Sequence, residues 1–377
     1  MEIIIIILCA YMLLYVGSIA ALIYGFTKIL HYNSSAEAPK TTFSIVVPFR
    51  NEQHNLPRLL DSLAALKYPK ELFEMIFVND FSDDDSEKTI IKWRMENGLL
   101  HTTILENLHL SGSPKKDAIS RAIPIIENQW VVTTDADCVV DPNWLSELND
   151  YIINNSKEMI AGPVMYDGGI SFLHHFQRLD FLSLQGAPMG SFGIRKAFMC
   201  NGANFAYTKK FFTALGGFSG NRAIASGDDV FLLQKAIARF PEKVGYLKSK
   251  SAIIVTRPAE SWRQLFHQRV RWASKTGAYE SEFGEDLALA VFLGNLAIVV
   301  AFALSCCGTL PWEILLALFI IKLVPDVILL IQANKFFNNG RFFFPFFAAI
   351  VYPFFCVAVA AYSAVGKYEW KGRTFKK

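Results

Sequence analysis

The chain of 377 residues is 52% hydrophobic and only 19% charged, so it is more apolar than an ordinary soluble protein. Its formal net charge is just +3 and its polar middle contains no basic run, which argues against nucleic acid as a partner. The apolar excess is concentrated near the two ends, and this distribution predicts an integral membrane protein.

The first predicted element is an N-terminal transmembrane anchor over residues 1–30. Residues 3–27 carry no charge, and about 20 apolar residues suffice to cross a bilayer core. A cleaved signal peptide is disfavoured, because no basic leader is present and the run exceeds the about 7–15 residues of a signal core. Lys28 and His31 follow the run and only Glu2 precedes it, so the positive-inside rule places the polar middle in the cytoplasm, at an inner or plasma membrane.

Strand and helix patterns alternate through residues 40–258. The apolar residues 43–47 predict a strand that Pro48 ends, and leucines at helical spacing over residues 56–66 predict a helix. The alternation predicts one α/β domain with a mostly parallel sheet and flanking helices. Further strands are predicted over residues 73–78, 101–105 and 130–134, with helices beginning near Asp83 and running from about Lys116 to Ile126.

Asp135 and Asp137 follow the predicted strand 130–134 directly. Ligands of open α/β sheets bind at the carboxyl ends of strands, and hard carboxylate oxygens suit Mg²⁺ or Mn²⁺. The pair therefore predicts a divalent metal that holds the diphosphate of a nucleotide sugar. Each residue could instead be a turn or helix-cap residue.

Two other polar residues stand at comparable positions. Asp80 ends the second predicted strand, where it could accept a hydrogen bond from a nucleobase or ribose, or could cap the following helix. Lys115 begins the next helix, where it could face phosphate or could remain a solvated surface side chain.

A glycine-rich stretch over residues 216–227 leads to Asp228 and Asp229 at the start of an apolar helix. One carboxylate is expected to cap this helix. The other could act as the general base that takes a proton from an acceptor hydroxyl. Repulsion between the two acids is expected to raise one pKa.

A segment over residues 259–285 predicts an amphipathic helix that starts near Ala259 or Glu260. Gln268, Arg271 and Trp272 are spaced to share one helix face, where they could contact a diphosphate and a sugar. The alternative is a helix that lies on the bilayer surface with aromatic anchors and arginines at the headgroups.

Residues 286–366 predict two or three transmembrane spans. Residues 287–312 and 342–366 carry no charge, and residues 314–334 contain only Lys322 and Asp326. The four-residue spacing of this pair predicts mutual neutralisation, with a role in an acceptor channel as the alternative.

Three spans would place the basic tail, residues 367–377, outside the cell, against the positive-inside rule. Pro345 and Pro353 interrupt the last apolar run, which could therefore be a re-entrant or interfacial segment.

The motifs above occur in an order that carries a family resemblance. In chain order they are Val47-Pro48-Phe49-Arg50-Asn51-Glu52, Asn79-Asp80-Phe81-Ser82-Asp83-Asp84, Lys115 ahead of Ala118-Ile119, Asp135-Ala136-Asp137, Gly227-Asp228-Asp229 and Gln268-Arg269-Val270-Arg271-Trp272. This order resembles the membrane-bound inverting glycosyltransferases of family 2, which include hyaluronan, chitin and cellulose synthases and ceramide glucosyltransferases.

The resemblance implies a GT-A-like fold, a UDP- or GDP-sugar donor, a lipid or glycan acceptor, and transfer assisted by Mg²⁺ or Mn²⁺. It implies Asp229 as the general base, with Asp228 beside it, and Asp135 and Asp137 as metal ligands. The implied donor-binding residues are Pro48, Arg50, Glu52, Asp80, Lys115, Asp135 and Asp137. The implied acceptor and diphosphate residues are Asn201, Gly202, Gln268, Arg269, Arg271 and Trp272.

Two departures from the family pattern leave the donor and the base open. Asn79-Asp80-Phe81-Ser82 stands where Asp-Asp-Gly-Ser is usual, and Gly-Asp-Asp stands where many relatives have Glu-Asp. A processive polysaccharide synthase is the first alternative to transfer of a single sugar to a lipid. A non-catalytic nucleotide-binding membrane scaffold is the second, because fold alone does not fix function.

Overall fold

The structure is a computed structural model that describes residues 2–97, 101–337, 346–365, 368–370 and 373–375. Within these residues, a seven-stranded sheet has the strand order β3-β2-β1-β4-β7-β5-β8. Its strands are β1 Phe43–Phe49, β2 Phe73–Asn79, β3 Thr102–Glu106, β4 Trp130–Thr133, β5 Met159–Ala161, β7 Phe205–Thr208 and β8 Val244–Tyr246.

The sheet is mostly parallel, as the alternation of strands and helices predicts. β1 pairs in parallel with both β2 and β4, and its side chains are almost all buried because helices cover both faces. β7 is the exception, since it runs antiparallel to β4 and β5. Its amino end therefore lies at the same sheet edge as the carboxyl ends of β1, β2 and β4.

Eight helices of the described chain accompany the sheet. They are α2 Leu56–Ala64, α3 Ser86–Asn97, α4 Pro114–Ala122, α5 Trp144–Asn154, α6 Phe172–Gly193, α7 Lys209–Ala214, α8 Asp228–Arg239 and α9 Trp262–Ala273. In α2 the four leucines of the predicted apolar stripe are all buried. Two small parallel strands, β6 Val164–Tyr166 and β9 Ile254–Thr256, form a separate pair beside the sheet.

Several predicted boundaries are wrong by a few residues. β1 continues through Pro48 to Phe49, because its ladder with β2 reaches Phe49, although its ladder with β4 ends at Val46. α3 begins at Ser86 rather than near Asp83. α4 ends at Ala122, and a 3₁₀ turn over Ile123–Ile125 follows it. α9 begins at Trp262, because the Ser261 side chain accepts a hydrogen bond from the Gln264 backbone and so caps the helix.

Within the part of the chain that the structure describes, four helices are long and apolar enough to cross a membrane. They are α1 Glu2–Lys28, α10 Glu282–Cys306, α11 Trp312–Phe337 and α12 Phe346–Val365. α12 contains Pro353 in its interior, so the described part of the last apolar run is one continuous helix rather than an interrupted segment. Pro345 lies outside the described residues, as does part of the basic tail. The described tail residues form two short antiparallel strands, β10 Tyr368–Trp370 and β11 Arg373–Phe375.

The N-terminal helix packs tightly against the α/β domain through α6. A Cβ atom added at Gly25 would lie 2.0 Å from the Gly190 carbonyl oxygen, so only glycine allows this approach of the two backbones. The buried Lys248 ammonium also donates to the Ile29 carbonyl oxygen at 2.9 Å, just beyond the end of α1. These contacts fix α1 to the domain that carries the polar motifs.

α9 does not lie alone on a surface. Its Phe266 ring packs 6.2 Å from Phe355 and 5.5 Å from Tyr362, both on α12, and Trp262 lies 5.0 Å from Phe176 on α6. The apolar side of α9 is therefore used for packing against α6 and α12. The opposite side of α9, with Gln268, faces a cavity inside the protein.

Candidate active site

The loops after β1 and β2 are joined by a network around Arg50. The Arg50 guanidinium donates to the carbonyl oxygen of Asp80 at 2.7 Å and to that of Phe81, and it pairs with Asp83 at 3.1 Å. Glu52 is buried, and its carboxylate accepts a hydrogen bond from the Asn55 side chain at 2.6 Å. Pro48, Arg50 and Glu52 thus shape the rim of the cleft beside Asp80.

Asp80 is held by residues that the sequence did not point to. Its Oδ1 atom accepts a hydrogen bond from the Asn107 amide at 2.8 Å and lies 2.9 Å from Nε2 of His109. The centre of the His109 ring lies 4.4 Å from that of Phe81, with the two rings tilted. Both partners follow β3, so the strand-end reasoning applied to Asp80 could have found them. Asp80 is not a helix cap, since α3 begins six residues later.

Lys115 connects the loop after β4 with the start of α8. Its ammonium lies 2.5 Å from Asp135 Oδ1 and 3.6 Å from Asp228 Oδ2. Burial lowers the pKa of Lys115, but the charges of Asp135 and Asp228 raise it further, to well above its ordinary value. The ammonium is therefore permanently charged and is not a solvated surface group. Its position suits a phosphate contact.

Asp228 and Asp229 begin α8, but neither caps it. The N-cap is Gly227, whose left-handed φ of 81° brings the chain sharply into the helix. Asp229 accepts hydrogen bonds at 2.7 Å from the backbone N–H groups of Gly202 and Val230. The expected cap is absent because both carboxylates turn towards the cleft.

The environments of the two acids push their pKa values apart. Burial raises the pKa of Asp228 more than the nearby Lys115 ammonium lowers it. Burial also acts on Asp229, but Lys275, Lys115 and the two N–H donors outweigh it and lower the pKa of Asp229. Lys275 lies 3.9 Å from Asp229 and is a site residue that the sequence did not indicate. It stands three residues beyond the motif of α9, which is Gln268-Arg269-Val270-Arg271-Trp272.

Asn201 and Gly202 reach the site because β7 is antiparallel. The Gly202 carbonyl oxygen accepts a hydrogen bond from the Thr133 hydroxyl at 2.7 Å, which joins this segment to the end of β4. The Asn201 side chain accepts one from the Ala203 backbone at 3.0 Å. The segment therefore lies between Asp229 and the loop of Asp135.

Asp135 and Asp137 fit a metal that is shared with a diphosphate. Both line the same cleft, yet within the described residues no group of three or more His, Cys, Asp or Glu side chains could hold an ion by itself. Mg²⁺ commonly takes one or two carboxylates, with waters and substrate phosphates as its other ligands. The two carboxylates match that donor set.

The motif of α9 divides into two parts. Gln268, Arg271 and Trp272 line the cleft on one helix face. Arg269 also borders it but is buried in an ion pair with Asp180, with Nε 2.6 Å and Nη2 2.5 Å from one carboxylate oxygen. Its guanidinium lies 4.3 Å from the centre of the Trp272 ring. Arg269 is therefore placed to position Trp272, and its contact with a diphosphate stays a prediction.

The predicted site residues and Lys275 line one cavity of about 1500 Å³. Asp80, Asp137 and Asp229 line it together, although they are scattered over some 150 positions of the chain. The same cavity continues along α1, α11 and α12 to Tyr15, Lys322 and other residues of the apolar helices.

The central part of the chain is similar to a known protein family. The model of Glycosyl transferase family 2 matches residues 44–216, which include β2 to β7, all of β1 except Phe43, and Asp80, Asp135 and Asp137. The chain carries a glycosyl transferase family 2 domain. Asp228, Asp229 and the motif of α9 lie beyond the matched residues.

Two relatives of the family 2 domain are similar over parts of their length. The poly(ribitol-phosphate) beta-N-acetylglucosaminyltransferase TarS of Staphylococcus aureus is 27% identical over 118 residues, which are 31% of this chain and 20% of that protein. The probable glycosyltransferase YdaM of Bacillus subtilis is 25% identical over 247 residues, 63% of this chain and 55% of that protein. The chain thus covers about a fifth and about half of their lengths.

The GT-A-like fold is shared with a solved structure over nearly the whole chain. The mannosyltransferase PcManGT from Pyrobaculum calidifontis, in complex with GDP-Man and Mn²⁺, has a TM-score of 0.62 at 16% identity. The match covers 96% of this chain and 99% of that one, so it extends beyond the family 2 domain into the apolar helices.

Proposed function

We propose that the protein is a membrane-bound inverting glycosyltransferase that moves a sugar from a nucleotide-sugar donor to a lipid acceptor. The observation that carries this proposal is the single cavity shared by Asp80, Asp137 and Asp229 and by the apolar helices α1, α11 and α12. A lipid whose tail lies among these helices can present its polar head to the carboxylates. The catalytic domain would face the cytoplasm of the inner or plasma membrane.

The proposed reaction is a single displacement at the anomeric carbon. The acceptor oxygen forms a bond to that carbon while the bond to the diphosphate breaks, and Asp229 accepts the hydroxyl proton. An ionised carboxylate has about four acceptor sites, so the two backbone N–H bonds to Asp229 leave room for the hydroxyl. The lowered pKa keeps Asp229 ionised at neutral pH, as a base must be.

The remaining cleft residues would hold the donor. Asp80, fixed by Asn107 and His109, would accept from the nucleobase or ribose, and Lys115 would neutralise phosphate charge. A divalent ion held by Asp135 and Asp137 would stabilise the charge of the departing diphosphate. Arg271 and Gln268 would contact the same group from α9, and Trp272 would provide a flat apolar surface for a sugar ring.

We expect Mn²⁺ to bind at least about tenfold more tightly when UDP or GDP is present, because two carboxylates alone supply too few ligands. Electron paramagnetic resonance of Mn²⁺ titrated with and without each nucleotide measures this difference. Asp137→Asn should abolish the nucleotide-dependent binding, whereas Asp61→Asn, at an exposed position of α2, should leave it unchanged. Equal Mn²⁺ affinity with and without nucleotide would contradict the shared site.

Gly202→Ala should lower turnover at least about tenfold with little change in thermal stability. The new Cβ would lie 3.0 Å from Asp228 Oδ2 and 3.2 Å from Lys115 Nζ. Both atoms end flexible side chains, so they can move aside, but small displacements of catalytic groups reduce rates strongly. Gly168→Ala is the matched control, because its Cβ would meet nothing within 4 Å. Wild-type turnover in the Gly202 variant would show that this contact is unimportant.

The experiment that tests the proposed function uses protein solubilised in detergent. UDP- and GDP-sugars are supplied one at a time with Mn²⁺, and nucleotide release is recorded with and without lipid acceptors. Release that depends on both metal and one sugar nucleotide supports the proposal. Donor binding without metal-dependent release would indicate a non-catalytic scaffold.

A processive synthase is the second candidate, because the cavity extends far along the apolar helices and could hold a growing saccharide. Product length from a radiolabelled donor separates the two candidates. A single added sugar supports the lipid acceptor, and a ladder of long products supports the synthase.

A further inference from the structure

A cluster of polar side chains lies between the apolar helices α1 and α11. The Lys322 ammonium lies 2.7 Å from Asp326 Oδ2 and 3.3 Å from the Tyr15 hydroxyl oxygen. The Tyr15 hydroxyl donates to the other oxygen of Asp326. The ion pair predicted from the four-residue spacing is therefore confirmed, with Tyr15 as a third member. These three residues are called the intramembrane polar cluster below.

Helix pairing alone is a poor explanation of this cluster. Removing two charges from water costs several kcal/mol per ion, and apolar residues of similar size often serve as well or better. Ionisable residues inside membrane helices are accordingly rare and usually mark a binding or transport site.

The cluster opens into the cavity of the active site. Tyr15, Lys322 and Asp326 all line that cavity, together with Tyr352 and Ser363 of α12. The end of α11 at Phe337 adjoins the α/β domain, because the neighbouring Phe336 ring lies under the Lys248 ammonium. At about 1.5 Å per residue, Asp326 lies about 16 Å along the helix from that end. A ligand in the cavity could thus reach the cluster from the carboxylates.

The bonding capacity of the cluster indicates what it can bind. A lysine ammonium has three donors, and the contacts above use two of them. The Asp326 carboxylate has about four acceptor sites, of which two are used. One donor and further acceptor sites remain, and the charges of Lys322 and Asp326 cancel. A hydroxyl or amide, which both donates and accepts, suits this arrangement, whereas a phosphate would face the Asp326 carboxylate.

We propose that the intramembrane polar cluster binds an uncharged hydroxyl or amide group of the acceptor, within the membrane and away from the reacting hydroxyl. This proposal rests on the proposed function, which makes the cavity an acceptor site. The group could belong to a lipid or to a saccharide that occupies the cavity. The cluster would hold the acceptor in register with Asp229 without touching the reacting atoms.

The test measures binding of two probes, a diacylglycerol in mixed micelles and maltotetraose, to the full-length protein in detergent. The double variant Lys322→Met with Asp326→Leu removes both charges together and so leaves no unpaired ion. Tyr15→Phe is the milder second variant, since it keeps the ring that packs against Lys322. Asn295→Leu is the matched control, because Asn295 is a buried polar residue of α10 outside the cavity lining. Thermal unfolding of each variant verifies folding.

We expect the double variant to bind one of the probes at least tenfold more weakly than wild type, Tyr15→Phe about threefold more weakly, and Asn295→Leu equally well. If the double variant binds diacylglycerol more weakly, the bound group belongs to a lipid. If it binds maltotetraose more weakly, the bound group belongs to a saccharide. The proposal is overturned if wild type binds neither probe, or if wild type and both cluster variants bind alike. Nucleotide release in the same preparations is scored separately. If wild type releases none, the proposed function fails while the binding result for the cluster stands.

Discussion

Replacing Asp229 by asparagine should reduce turnover by at least about 10²-fold and leave donor affinity close to that of wild type. The asparagine amide cannot accept the acceptor proton, but it nearly preserves the shape of the side chain beside Gly202. The proposed donor contacts, which involve Asp80 and Lys115, are not altered. The measurement is nucleotide release at saturating acceptor, together with donor affinity from equilibrium binding.

Asp228→Asn is the matched control for this prediction. The Lys115 ammonium contacts both Asp228 and Asp135. We therefore expect replacement of Asp228 to raise the donor KM more than it lowers kcat. The pH profile gives an independent check. If Asp229 is the base, its lowered pKa places the acid limb of kcat below the ordinary range of a carboxyl. An acid limb above that range, with near-normal turnover in the Asp229 variant, would assign the base to Asp228 instead.

The sequence predicted the first four strands of the sheet because most of them are buried apolar runs that are marked locally. β1, β2 and β4 are short apolar runs that end in polar residues, and the leucines of α2 show helical spacing. The antiparallel β7 could not be foreseen in this way. Its direction depends on pairing with β4, which is more than 70 positions earlier. That pairing brings Gly202 to Asp229.

The charge partners of the site residues could not be inferred from the sequence either. Motif reasoning found Asp229 and Lys115 but not Lys275, whose ammonium reaches Asp229 because the chain just after α9 passes the start of α8. It also treated Arg269 as a possible diphosphate contact. Asp180, which pairs with the Arg269 guanidinium, lies 89 positions away on α6. For Asp229 and Arg269, residue type and spacing suggest a charge, but only the packing of the chain shows what neutralises it.

Replacing Asp180 by alanine should therefore destabilise the protein by about 3–5 kcal/mol, one of the largest effects expected for a single substitution. The side chains of Arg269 and Asp180 are only 6% and 4% exposed, so the variant would leave a charged guanidinium buried without its counterion. At about 2–4 °C per kcal/mol for a domain of this size, the melting temperature in detergent should fall by roughly 6–20 °C. Thermal unfolding followed by tryptophan fluorescence measures this change.

The double variant Asp180→Leu with Arg269→Met separates charge from packing. Because it leaves no unpaired ion, we expect it to recover most of the lost stability. It should still lower sugar transfer, because Trp272 would lose the guanidinium that lies 4.3 Å from its ring. Arg58→Ala is the surface control, since it breaks an exposed ion pair with Asp167 and should change stability by less than about 1 kcal/mol. If Asp180→Ala unfolds at the same temperature as Arg58→Ala, the pair does not hold α9 to α6. The placement of Trp272 would then have to come from its packing against Phe181 alone.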